Sequence, residues 1–215
     1  MPELRFQVEG AVVVPFAASP QLAFKLRITN LPATEIIHTV ALRAQIQLEV
    51  THRHYSADEQ NRMLDLFGPP DRWNQTLRNL LWTHTSIVVP AFQEATVVDL
   101  PVPCTFDFNV AATKYFEGLQ EGDVPLLLMF SGTVFYGETD GTLRVAPISW
   151  QQEAKFKLPV KTWRAMMDIY YPNSAWLCLR RDVFDRLYQY KMQHSIPTWE
   201  ALIESVIPAG EAIEK

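Results

Sequence analysis

His52 and His54 stand two residues apart in Thr51-His-Arg-His-Tyr55, and His84 sits in Trp82-Thr-His-Thr-Ser86. On an extended strand His52 and His54 would point the same way, with Cα atoms about 6 to 7 Å apart. That spacing suits two metal ligands, but zinc usually needs a third protein ligand and a fourth ligand or water. His84 can supply the third only if its strand lies beside the first. Arg53 adds positive charge between the pair, and no H-E-x-x-H or cysteine cluster accompanies them. The balance favours solvated histidines at a strand end over a metal site.

Other chemistry is sparse. Ser131, in Phe130-Ser-Gly-Thr133, is a hydroxyl without an identified base. Cys104 follows Pro103 without the cationic setting that makes a thiolate reactive. It and Cys178 form no C-x-x-C pair and read as small core hydrophobes. Asp58, Glu59 and Asp65 sit in an acidic helical segment, where macrodipole and solvent explain them. There is no G-x-x-x-x-G-K-S/T, G-x-G-x-x-G or G-x-S-x-G motif. No catalytic residue and no cofactor are assigned. Binding has a better candidate in the aromatic turn Tyr170-Tyr-Pro-Asn-Ser-Ala-Trp176 with Arg180-Arg181 beside it. Tyr171, Trp176, Arg180 and Arg181 have the composition of a protein-binding surface, although a packed corner and a solvated step fit the same residues.

These residues hang on a β-rich frame. Leu4 to Val8, Gln21 to Asn30 and Val40 to Val50 alternate apolar and polar residues at period two, as half-buried antiparallel strands do. Ser56-x-x-Glu59 is a capping box opening a helix over Ala57 to Phe67, with Gly68 as its stop, and a second short helix is expected over Asp71 to Leu80. Strands are expected again at Trp82 to Val89, Glu94 to Val102 and Cys104 to Val110. Val110 to Leu119 turns helical, with Tyr115 outward. Val124 to Tyr136 reads as the central strand, bent at Ser131-Gly132. Asp140-Gly141 signals a hairpin into Leu143 to Trp150, followed by a strand over Gln152 to Leu158. Helices follow at Val160 to Tyr170, Arg181 to His194 and Trp199 to Ile207, with Asn173 to Leu179 a short extended piece between the first two.

The expected fold class is α+β: a mainly antiparallel β-sandwich with a helical insertion and a C-terminal helical appendage. One domain is expected over 1–215, with the sandwich in 1–158, the insertion at 57–80, helices packed on it over 159–207 and a tail at 208–215. A net charge of −5 and a pI near 5.5 argue against nucleic acid or an anionic membrane as the main partner. No apolar run is long enough to span a bilayer and no signal peptide is visible, so a cytoplasmic location without membrane insertion is expected.

Motifs along nearly the whole chain carry a resemblance. They are Tyr55-Ser56 to Phe67-Gly68, Trp82-Thr-His84, Asp99-Leu-Pro-Val-Pro-Cys104, Lys114-Tyr-Phe116, Phe130 to Tyr136, Tyr171 to Trp176 and Pro197-Thr-Trp-Glu200. The chain resembles a bacterial family described as a domain of unknown function, with members encoded near nickel–iron hydrogenase genes. The resemblance implies an accessory, assembly or subunit role and carries over no catalytic residue. The expected function is therefore a non-catalytic, protein-binding accessory or assembly factor for a bacterial multi-protein complex, with a hydrogenase component as a candidate partner. The alternatives are a small-molecule or metal-binding module near His52, His54 and His84, and an unrecognised hydrolase.

Overall fold

The structure is a computed structural model that describes residues 2–31, 33, 35–105, 110–137, 142–174 and 177–207. Two compact units divide the chain, Met1–Ser174 and Ala175–Lys215.

The first unit is an α+β sandwich of two antiparallel sheets. One sheet holds β1 (Glu3–Val13), β2 (Gln21–Leu31) and β5 (Ala95–Pro103), in the order β1-β2-β5. The other holds β4 (Leu80–Val89), β3 (Ile36–Leu48), β6 (Asp123–Gly137) and β7 (Leu143–Pro147) in that order. A further strand, β8 (Glu153–Pro159), pairs with the other half of the β6 edge that β7 uses. Alternation does the sorting: Leu22, Phe24, Leu26 and Ile28 of β2, and Val40, Leu42, Ala44, Ile46 and Leu48 of β3, are buried between the sheets. Phe6 stacks on Phe130 at 4.4 Å between centroids, and Phe24 meets Trp82 and Phe156 at 6.2 and 5.7 Å, joining the two layers. At one margin the Thr85 hydroxyl donates to the Pro101 carbonyl at 2.6 Å, tying β4 to β5.

Short helices close one end. The insertion between β3 and β4 contains α1 (Ala57–Arg62), α2 (Leu64–Phe67) and α3 (Trp73–Thr76). Between β5 and β6 lies α4 (Val110–Gly118), and α5 (Val160–Tyr170) follows β8. Phe116 of α4 is fully buried, 5.2 Å from Trp82 and stacked at 5.2 Å on Trp163 of α5.

Several sequence expectations need correction. The helix expected over 57–67 breaks at Met63, whose backbone leaves helical geometry. The second inserted helix covers only Trp73–Thr76, after a 3-10 turn at Pro70–Arg72, because Leu77 is extended and Leu80 already belongs to β4. Cys104 and Thr105 lie beyond β5 and Val110 opens α4, so no strand begins or ends at those residues; 106–109 lie outside the described residues. Tyr115 points inward, fully buried, since its hydroxyl finds that of Tyr55 at 2.8 Å. β7 ends at Pro147, short of Trp150, with one further bond from the Ile148 amide to the Gly132 carbonyl at 2.9 Å. The Asp140-Gly141 hairpin signal lies outside the described residues.

The β1–β2 loop is held from below. The Val14 amide donates to the Gln21 carbonyl at 3.0 Å, closing the loop at its base. The Tyr170 hydroxyl donates to the Val14 carbonyl at 2.7 Å and accepts from the Ala17 amide at 2.8 Å.

The second unit contains α6 (Arg181–Gln193) and α7 (Trp199–Val206). Ser195, with φ +52°, turns the chain after α6, and the Ile196 amide donates to the Lys191 carbonyl at 3.0 Å. The Thr198 hydroxyl then caps α7 by accepting from the Ala201 amide at 3.1 Å. No helix among the described residues is long and apolar enough to cross a membrane.

Candidate functional site

The histidines are not on one strand. β3 ends at Leu48, and Val50–His52 forms a 3-10 turn whose geometry starts at Glu49, φ −82° and ψ 65°. The Glu49 amide donates to the Pro125 carbonyl at 2.9 Å and the His52 amide to the Glu49 carbonyl at 3.0 Å, so the ladder gives way to a tight turn. His52 Nδ1 lies 3.4 Å from Glu49 Oε1, and His54 is exposed. His84 pairs instead with Gln45 on β3, its Nε2 3.2 Å from Gln45 Oε1. Gln45 precedes the end of β3 by three residues, about 10 Å of strand, so the common site imagined for the three rings is not assembled. Among the described residues no three His, Cys, Asp or Glu side chains gather as a metal-holding group. Replacing His52 and His54 with glutamine should change the unfolding free energy by less than about 0.5 kcal/mol in urea titration.

The residue between them is the structurally committed one. The Arg53 side chain is nine-tenths buried and Nη2 donates to Glu59 Oε1 at 2.7 Å. Nη2 also donates to the Glu121 carbonyl at 2.5 Å, and Nη1 to the Asp123 carbonyl at 2.8 Å. Glu59 completes the expected capping box, Oε2 accepting from the Ser56 amide at 3.1 Å, while Oε1 accepts from the Gln120 amide at 2.9 Å. Burial alone would raise the Glu59 pKa; the Gln120 and Ser56 amides and the Arg53 guanidinium together outweigh it and hold it below its ordinary value. The clasp ties the start of α1 to the loop before β6. Beside it, Tyr55 donates to the Val50 carbonyl at 2.7 Å, and burial pushes its phenol up to about 12. Every bond in this cluster except the unpaired Arg53 Nε is spent within the fold. It is a structural clasp.

Cys104 is buried, and burial pushes its thiol up to about 12, so it stays protonated at neutral pH. Ser131 is exposed on β6, opposite Arg43 of β3.

The binding candidates fall in different places. Tyr171 is half-buried at the C-terminal end of α5 in the first unit. Trp176 lies outside the described residues. Arg180 caps α6 in the second unit and Nη2 pairs with Asp182 at 2.9 Å, well exposed, and Arg181 is the exposed first residue of that helix.

The second unit also contains a surface that the dipeptide of arginines only borders. Phe184, Tyr188 and Met192 recur at i, i+4 and i+8 on α6, forming one stripe, and all three are exposed. On α7 Ile203 and Val206 are exposed, with Ile207 following. Trp199 joins the stripes, 5.1 Å from Phe184 and 6.3 Å from Tyr188, with the Lys191 ammonium 5.9 Å over its ring. α6 buries no residue, and α7 buries only Leu202. Two aromatics about half exposed, Phe184 and Tyr188, with the partly buried Trp199 and four aliphatics beside them, amount to an apolar face on the order of several hundred Å². Their spacing was readable from the sequence; their exposure was not.

A family model described as a family of unknown function (DUF6084) matches residues 1–215. No curated protein matches the chain. Among solved structures, a protein assigned to the late embryogenesis abundant (LEA) class aligns with 12% identity and a TM-score of 0.30, covering 74% of this chain and 73% of the other. A Bordetella pertussis protein assigned as ApaA aligns with 15% identity and a TM-score of 0.24, covering 73% and 93%. Beta-glucosidase 3B from Thermotoga neapolitana aligns with 12% identity and a TM-score of 0.24, covering 73% of this chain but 17% of the enzyme. These structural likenesses are too remote to argue from, whereas the family match spans the full sequence: the chain belongs to the family of unknown function DUF6084.

Proposed function

We propose that this protein is a non-catalytic, protein-binding accessory or assembly factor for a bacterial multi-protein complex, and that the α6–α7 face is its contact surface. The observation that carries this reading is the exposed stripe of Phe184, Tyr188 and Met192 beside Ile203, Val206 and Ile207. An apolar patch of that size matches the largest on a typical monomer, and such a patch is often functional. A helix pair this short also has little core of its own, so a partner that covers the face would stabilise it. Arg180 and Arg181 at the start of α6 supply charge at the rim, where they tune encounter more than affinity. The partner is another protein, and the resemblance noted above makes hydrogenase components the first to screen.

The test is capture from source cells with the tagged full chain, identification of the captured protein, and calorimetric titration with that protein purified. Phe184→Asp should weaken binding at least tenfold, the scale of an aromatic anchor, while the melting midpoint of the sandwich unit stays put. Arg180→Glu should change affinity by less than about threefold, as an exposed, locally paired charge does. Wild-type affinity in Phe184→Asp would remove the reading.

A further inference from the structure

The first unit carries a separate feature that the clasp and the core do not use. Phe16, at the tip of the β1–β2 loop, is 100% exposed, although Phe is among the residues most often buried. Its φ is +59°, the left-handed region that a residue with a Cβ enters at a steric cost. A strained backbone persists where the surroundings over-determine it, and such strain gathers at ligand clamps and binding loops. Here the surroundings are visible: both Tyr170 hydrogen bonds and the Val14–Gln21 closure hold the loop in shape. The loop thus spends strain to present an aromatic ring to solvent, in a geometry a glycine would adopt more easily. No charged residue occurs between Glu9 and Lys25, so what the loop offers is apolar.

We propose that Phe16 is an anchor that inserts into a preformed apolar pocket on a partner protein. Magnitude favours a protein over a bilayer. Burying one Phe is worth about ten- to a hundredfold in affinity, enough for one anchor within a larger interface. It is too little to hold a protein on a membrane, where even a single myristoyl chain binds marginally. The net charge of −5 works further against an anionic membrane. Pre-organisation by Tyr170 lowers the ordering cost of binding, which is the advantage of placing an anchor on a fixed loop. This site goes beyond the α6–α7 reading and stands on independent residues.

Phe16→Gly separates an anchor from a structural residue. Glycine relieves the left-handed strain and removes no buried contact, so the melting midpoint should hold or rise by about 2 to 4 °C. To find the partner, p-benzoylphenylalanine replaces Phe16 in the full chain in source cells, and the cross-linked protein is identified, purified and titrated calorimetrically. The expected result is a protein cross-link, and a Phe16→Gly affinity at least fivefold weaker without loss of thermal stability. A loss of affinity below fivefold overturns the proposal. So does the absence of any protein cross-link, or cross-linking to phospholipid alone with co-sedimentation on phosphatidylcholine vesicles. Phe184→Asp is titrated in parallel: loss there with none at Phe16 overturns the anchor and leaves the helical contact standing, and the reverse result does the opposite.

Discussion

Glu59→Ala is expected to lower the stability of the sandwich unit by about 3 kcal/mol or more, because it strands the Arg53 guanidinium in a buried site. It also frees the Gln120 and Ser56 amides, two partly buried donors that Glu59 now satisfies. In a unit of this size the melting midpoint should fall by roughly 6 to 12 °C. The pH dependence gives a second reading of the same clasp. The folded Glu59 pKa is lowered, so its contribution is fully present above the ordinary carboxylate range and is lost as the pH falls through the lowered value. The stability gap between wild type and Glu59→Gln should therefore shrink on acidification. A gap of equal size at neutral and strongly acidic pH would show that charge pairing is not what the clasp contributes.

Gly132→Ala is the other substitution with a large expected cost. Gly132 has φ +143°, and a Cβ there would lie 2.0 Å from the Ala41 carbonyl oxygen. That oxygen belongs to β3, which pairs with β6 along Ile36 to Leu48 and cannot retreat without breaking the ladder. Steric overlap and backbone strain add, so a loss of about 3 kcal/mol or more is expected in chemical denaturation. Gly10→Ala is the control: a Cβ there meets nothing within 4 Å, and the change should be within about 1 kcal/mol of neutral. Equal costs at the two positions would contradict the account of the close approach of β6 to β3 at Gly132.

What could be read from the sequence was local. The Ser56–Glu59 capping box and the Val160–Tyr170 helix depend on residues near one another in the chain, and the structure has both; at Ser131-Gly132 β6 instead runs on as one strand, with Gly132 at φ +143°. What could not be read was long-range. Arg53 looked like a charge disturbing a histidine pair, because its partners at Glu121 and Asp123 are about seventy residues away along the chain. Tyr115 looked outward-facing because its buried hydroxyl partner, Tyr55, sits sixty residues earlier. Period-two alternation also could not show that β3 would stop at Leu48, since the turn at Glu49 depends on the Pro125 carbonyl of another strand. For the candidate site, the sequence pointed to Tyr171, Trp176, Arg180 and Arg181 and not to the Phe184–Tyr188–Met192 stripe, because exposure depends on what the rest of the chain leaves uncovered.

The most direct test of the central claim is amide hydrogen exchange of the full chain, free and saturated with its purified partner. Binding through the helical face predicts that amides within Arg181–Gln193 and Trp199–Val206 exchange more slowly in the complex, and that Phe184→Asp abolishes the slowing at equal partner concentration. Exchange in α6 and α7 that is unchanged by saturating partner would contradict it.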